Sequence, residues 1–318
     1  MNVSFILVLS LIIQLLIRLI VKLVLSSALS IPFVYYVELM IVSTLSIFLP
    51  AYLYLKDKKR GYFTDCFSGV KPNMLMAVCL LIGLFGQYAS ILVNIPSVLL
   101  VKKFGGVITS YNLPINSFGM FLLATFAVCV LPAVYEEVMF RGVVFNYFRQ
   151  YGKKAAILIS SFLFALMHCD FTNFFATFLI GAICAYTVSK TNRIVYSMII
   201  HFMVNFVSLS SSYILKSNVL TDLYNDWLPA LFIVAIPLII YLLTVVRDRA
   251  EYLPYKDMEK YEKKVESVVK INEESSINII EHSVKENNLP MALSTLFSTG
   301  YVYIIIALFL YLGGSNLW

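Results

Sequence analysis

Apolar residues fill the chain in long blocks separated by short polar stretches, and the blocks themselves predict its elements. Runs near 3–25, 31–55, 73–100, 116–149, 153–169, 171–189, 194–214, 227–246 and 291–312 are almost free of charge. A helix crossing a bilayer takes ~20 predominantly apolar residues. The pattern therefore predicts an all-α, polytopic membrane helix bundle of about nine transmembrane helices. The first run is interrupted by Arg18 and Lys22, and the last opens in the polar stretch STLFSTG. Lacking a basic leader segment and broken by those two cations, the first run reads as a retained helix, not a cleaved signal.

The loops set the orientation, because the cytoplasmic side of a membrane protein collects Lys and Arg. With the N-terminus cytoplasmic, the inner loops are KDKKRG with Lys71, RQYGKK, SKTNR and the segment 247–290. These hold five, three, two and eight basic residues, against three in the outer loops. The opposite orientation inverts the bias, so the N-terminus is expected inside. The expected organisation is helices over 1–115, a polar-motif core over 116–214, an eighth helix over 215–246, a charged cytoplasmic segment over 247–290 and a last helix over 291–318. In 247–290 eight basic residues mix with ten acidic ones, as in a solvated connector; a gating or docking element is the other reading.

Composition agrees. Of 318 residues, 60% are hydrophobic and only 13% charged, where soluble domains carry about a quarter charged. The net charge of +6 follows from the basic loops and is no sign of nucleic acid. The five cysteines (Cys66, Cys79, Cys129, Cys169, Cys184) form no CxxC pair and lie mostly in apolar runs, where free thiols pack as small hydrophobes.

Against this background the stretch YEEVMFRG, residues 135–142, stands out. An ionised side chain at mid-bilayer costs roughly 2.5–3.5 kcal/mol on insertion scales unless it is paired or hydrated. Residues four apart on a helix share a face, while neighbours are turned by ~100°. Glu137 and Arg141 are thus natural partners, and Glu136 points elsewhere without a local counter-ion. Such a carboxylate is a candidate general base; the alternative is that both glutamates merely solvate Arg141. FALMH places Phe164 and His168 on one face of the fifth helix, and HFMVN places His201 and Asn205 on one face of the seventh. Arg18, Lys22 and Glu38 lie apart, in the first hairpin, where they can snorkel or pair.

Depth tests whether these groups meet. At ~1.5 Å per residue His201 lies roughly 10–12 Å in from Arg193, and His168 roughly 22 Å from Lys153. They come level if the turn FNYFRQYGKKAA extends below the membrane. The fifth helix must then end at mid-membrane, leaving Cys169–Asn173 as irregular backbone, which lipid tolerates only where it lines a protein-enclosed or watered cavity.

The three motifs Glu136-Glu137…Arg141, Phe164…His168 and His201…Asn205 resemble the EExxxR, FxxxH and HxxxN motifs of the CAAX-protease and bacteriocin-processing (CPBP) family of intramembrane proteases. They occur in the family's order, across about 116–210. The resemblance implies a catalytic helical core in which Glu136 and His168 activate a water, His201 and Asn205 stabilise the oxyanion, and Glu137 with Arg141 holds the fourth helix and its charge. A watered cavity open to the cytoplasm is then required. It implies no cofactor, or alternatively zinc on Glu136, His168 and His201; the metal-free form is favoured because nothing resembles HExxH and Asn205 is a poor zinc ligand. The implied partner is a hydrophobic peptide or membrane-anchored protein, prenylated CAAX-type substrates included; the Lys/Ile-rich helices, with no eukaryotic targeting signal, point to a bacterial plasma membrane. A non-catalytic immunity or scaffold protein that captures a peptide remains a second reading, and a transporter a third, although paired discontinuous helices are not evident.

Overall fold

Because lipid offers no hydrogen bonds, backbone inside a bilayer must satisfy itself, and every regular element described is a helix. The computed structural model describes residues 3–25, 31–57, 73–105, 113–214, 218–251 and 288–315. In chain order the helices are α1 (Val3–Leu25), α2 (Pro32–Lys56), α3 (Met74–Lys103), α4 (Phe118–Tyr151), α5 (Lys153–Met167), α6 (Phe174–Thr191), α7 (Ile194–Ile214), α8 (Asn218–Glu251), α9 (Leu289–Ser298) and α10 (Tyr301–Ser315).

Seven of these are long and apolar enough to cross a membrane, or eight if α9 and α10 count as one broken span. The expected nine is not reached, for two physical reasons. At 15 residues, α5 is about 22 Å long, short of the ~30 Å hydrocarbon core. The last run bends by 81° at Gly300, whose φ of +74° suits a residue without Cβ. The protein is a polytopic membrane-helix bundle.

Several contacts gather the helix ends on one side. Arg149 Nη1 donates to Asn192 Oδ1 at 2.6 Å, tying the α4–α5 turn to the α6–α7 turn. The Asn288 N–H donates to the Tyr151 carbonyl at 2.8 Å, which brings the start of α9 to the same end. Asn73 Nδ2 donates to the Tyr196 hydroxyl at 2.9 Å, adding the start of α3. Phe5 of α1 meets Tyr301, the first residue of α10, edge-on with centroids 5.5 Å apart. Arg149, Lys153, Lys154, Lys190 and Arg193 all fall at this basic end. Most of KDKKRG and of the segment 247–290, and Cys66, lie outside the described residues. Cys79, Cys129 and Cys184 are buried free thiols.

Three apolar clusters fill the bundle: one joins α1, α2, α4, α5, α6, α7, α9 and α10, a second α3, α6, α7 and α8, and a third α2, α4 and α7. Gly83 lets α3 and α7 touch. A Cβ there would stand 2.6 Å from both the Ile200 carbonyl oxygen and Met203 Cβ, closer than backbone can yield without moving α7. Gly83→Ala is expected to cost at least about 1–3 kcal/mol, the usual range for overpacking, read as a lowered Tm in detergent. Because Ile200 adjoins His201, activity should fall with it.

Candidate active site

The motif residues of α4 sit where the helix leaves ordinary geometry. Thr125–Val130 and Val138–Phe145 are π-helical, and so is Thr44–Phe48 in the facing α2; such widened turns recur at functional sites. Pro132 has no N–H to offer the carbonyl four residues back. That carbonyl, on Val128, accepts instead from Asn205 Nδ2 at 3.2 Å. Tyr135 joins α4 to α2, taking a hydrogen bond from Thr44 Oγ1 at 3.3 Å and packing on Phe48.

Glu137 and Arg141 are both wholly buried, with Nη1 donating to Oε1 at 2.7 Å. Arg141 Nη2 donates to the Gly181 carbonyl of α6 at 2.9 Å. Its guanidinium lies 4.8 Å from the Phe164 ring centre, a cation–π distance. Glu137 does more than hold Arg141. The same Oε1 lies 2.9 Å from His201 Nδ1, so one carboxylate joins α4 to α7 and orients the imidazole. His168, at the C-terminal end of α5, is oriented locally, with Nδ1 2.8 Å from the Phe164 carbonyl. An acceptor at each Nδ1 makes that nitrogen the donor and turns Nε2 outward.

Both Nε2 atoms face Glu136. His168 Nε2 is 3.7 Å and His201 Nε2 3.9 Å from Glu136 Oε2, an atom buried without a hydrogen-bond partner. These separations exceed a direct hydrogen bond and match groups that share one small bridging molecule. Exposure grades across the group: the His168 side chain is 37% accessible, Glu136 14% and His201 5%. Phe164 is the shared platform, with its ring centre 4.7 Å from that of His168 and 5.7 Å from that of His201.

A family profile described as "Type II CAAX prenyl endopeptidase Rce1-like" matches residues 118–207, which run from the first residue of α4 to just beyond Asn205. Residues 118–207 form a CAAX-protease-like domain. The UPF0177 protein YxdF of Lactococcus lactis subsp. lactis (strain IL1403) is 41% identical over 71 residues, 22% of this chain. The chain spans 39% of the length of that curated relative. No solved structure matches.

Within the CAAX-protease-like domain, five of the six polar motif residues come together around Phe164: Glu136, Glu137, Arg141, His168 and His201. The sixth, Asn205, is one turn beyond His201 with one amide N–H held by Val128. The residues do not fit zinc. Among the described residues no three His, Cys, Asp or Glu side chains form a metal-holding group. The Glu136–imidazole separations are also wider than the roughly 3.3–3.4 Å between neighbouring ligands of a tetrahedral zinc.

The break after α5 is real, and residues outside the motifs hold it. Cys169 has a φ of +49°. Asp170 accepts from the Thr172 N–H at 2.8 Å, the Thr172 hydroxyl at 2.6 Å and Asn173 Nδ2 at 2.8 Å. From α3, Asn94 Nδ2 donates to the Thr172 carbonyl, and its Oδ1 accepts from the Ala176 N–H at 3.3 Å. Asn94 therefore pins the loop that carries His168. An isolated Asn within the 30-residue apolar α3, and an isolated Asp between two apolar runs, were the available signals. Asn94→Ala is expected to cost about 1–3 kcal/mol through orphaned polar groups, and to lower turnover more than a surface variant of equal stability.

Glu136 also borders a cavity of about 150 Å³ between α1, α2 and α4. Gln14, Arg18, Leu39, Val42 and Pro132 are on its wall. Arg18, expected only to snorkel or to pair with Glu38, thus shares a cavity with the central carboxylate, and Lys22 is exposed farther along α1. This cavity flanks the bundle, whereas access was expected from the cytoplasm. Between Glu136 and the basic end, α4 buries Phe140, Phe145 and Phe148.

Proposed function

We propose that the protein is an intramembrane endopeptidase that hydrolyses a hydrophobic peptide or membrane-associated substrate, prenylated CAAX-type chains included. The observation that carries this reading is the buried, unpartnered Glu136 Oε2 facing two imidazole Nε2 atoms whose Nδ1 positions are both pinned. A water between them donates one proton to the Glu136 carboxylate and its other hydrogen bond to His168 Nε2. The water oxygen attacks the scissile carbonyl carbon, and the carbonyl oxygen becomes an oxyanion. His201, protonated and backed by the Glu137 carboxylate, donates from Nε2 to that oxyanion; the second N–H of Asn205 is the other donor. Glu136 then passes its proton to the departing amide nitrogen.

The match over 118–207 supports peptide-bond chemistry, and the core assigned to it runs over 116–214. Helices over 1–115, 215–246 and 291–318 flank that core, and 247–290 is a charged cytoplasmic segment. Clustering of Lys and Arg at one end supports a cytoplasmic N-terminus by the charge rule. The bacterial relative supports a bacterial plasma membrane. The test is a comparison of membrane and secreted peptides from cells carrying either wild type or Glu136→Gln at equal expression. New peptide termini confined to the wild type are expected; identical peptide sets at matched expression count against proteolysis.

A further inference from the structure

The cavity beside Glu136 has polar groups of opposite charge on otherwise apolar walls. On the α2 side, Ser43 and Ser46 already donate to the Met40 and Val42 carbonyls at 3.1 and 2.7 Å. That leaves Gln14 and Arg18, four apart on one face of α1, as its free side-chain donors. Arg18 is exposed. Leu39, Val42 and Pro132 supply apolar surface. The volume of about 150 Å³ is of the order that admits a benzene-sized group: room for a side chain or a chain end, not for a folded segment.

A guanidinium in an apolar span is costly unless something hydrates or pairs it. Here it shares a small chamber with a carboxylate that must keep its own charge for chemistry. An anionic ligand group would be repelled by Glu136 and attracted to Arg18, so it can enter in only one orientation. We propose that Arg18, with Gln14, is a recognition subsite for an anionic group, holding the ligand's apolar part against Leu39, Val42 and Pro132 and its uncharged reacting bond toward Glu136. A peptide's terminal carboxylate and a phospholipid phosphate share this chemistry. The inference deepens the proteolytic reading and rests on it for the position of the scissile bond.

The test uses full-length protein in phosphatidylcholine nanodiscs, in a Glu136→Gln background so that nothing turns over. A fluorescent apolar peptide is titrated with either a free C-terminal carboxylate or a carboxamide. The acid should bind roughly tenfold to a hundredfold more tightly, as charge-assisted hydrogen bonds allow. Adding Arg18→Gln should erase the difference, and Arg18→Lys should keep part of it. Native mass spectrometry of protein from phosphatidylglycerol-containing discs supplies the second arm. Equal binding of acid and amide, with phosphatidylglycerol retained only when Arg18 is present, assigns the subsite to a lipid phosphate. Equal binding with equal lipid retention overturns the proposal, as does an Arg18→Gln loss shared by both peptides. Failure of proteolysis looks different: wild-type protein would bind the acid through Arg18 yet cleave neither peptide.

Discussion

Glu136→Gln should leave a folded, membrane-inserted protein that cleaves its substrate 10²–10⁴-fold more slowly, the range over which a positioned general base contributes. The fold should survive because Glu136 Oε2 has no hydrogen-bond partner to lose and Gln is nearly isosteric. Removing a buried carboxylate oxygen that has no hydrogen-bond partner should, if anything, raise the Tm. Purified wild type and variant, matched for Tm, would be assayed side by side on one peptide. Cleavage within a few-fold of wild type would remove Glu136 from the role of base, and with it the mechanism proposed above.

Arg141→Ala is the second large effect, and it acts on stability first. Arg141 is fully buried and holds Glu137, the Gly181 carbonyl and the Phe164 ring together. Deleting one member of a buried ion pair strands the other charge, typically at about 3–5 kcal/mol. A sharp fall in Tm and in membrane yield is therefore expected. The double variant Glu137→Met/Arg141→Met separates stability from chemistry. Replacing both partners by apolar groups of similar size is often nearly neutral, so much of the Tm should return. Cleavage should not return, because His201 Nδ1 has lost the carboxylate that orients it. Recovery of activity in the double variant would mean that Glu137 serves only as a counter-ion.

That double role of Glu137 marks where reading along the chain reaches its end. Features set within one or two helical turns were legible. The i,i+4 pairing of Glu137 with Arg141 and the turning away of Glu136 follow from 3.6 residues per turn. The bond from His168 to the Phe164 carbonyl is equally local. Counting the rise per residue also located the break at 169–173, because two histidines at unequal depth cannot meet otherwise. The apolar blocks established a membrane bundle, since nothing else satisfies so much hydrophobic backbone in lipid. Their number was less secure: length separates a spanning helix from the 15-residue α5, and a run of letters hides the bend at Gly300.

Contacts between distant segments were a different matter. Asn94 reaches a loop 78 residues away, and Asn205 caps a carbonyl 77 residues earlier that Pro132 had released. Gly181 offers Arg141 a backbone oxygen because α6 comes so close to α5 that a Cβ would lie 3.1 Å from Phe164. Arg18 looked like a side chain bound for the interface until α1 was seen beside Glu136. In each case the sequence displays the capacity to hydrogen-bond, carry charge or permit close approach, which is intrinsic to the residue. Which partner receives it depends on how helices far apart in the chain are brought side by side, and that was settled by packing.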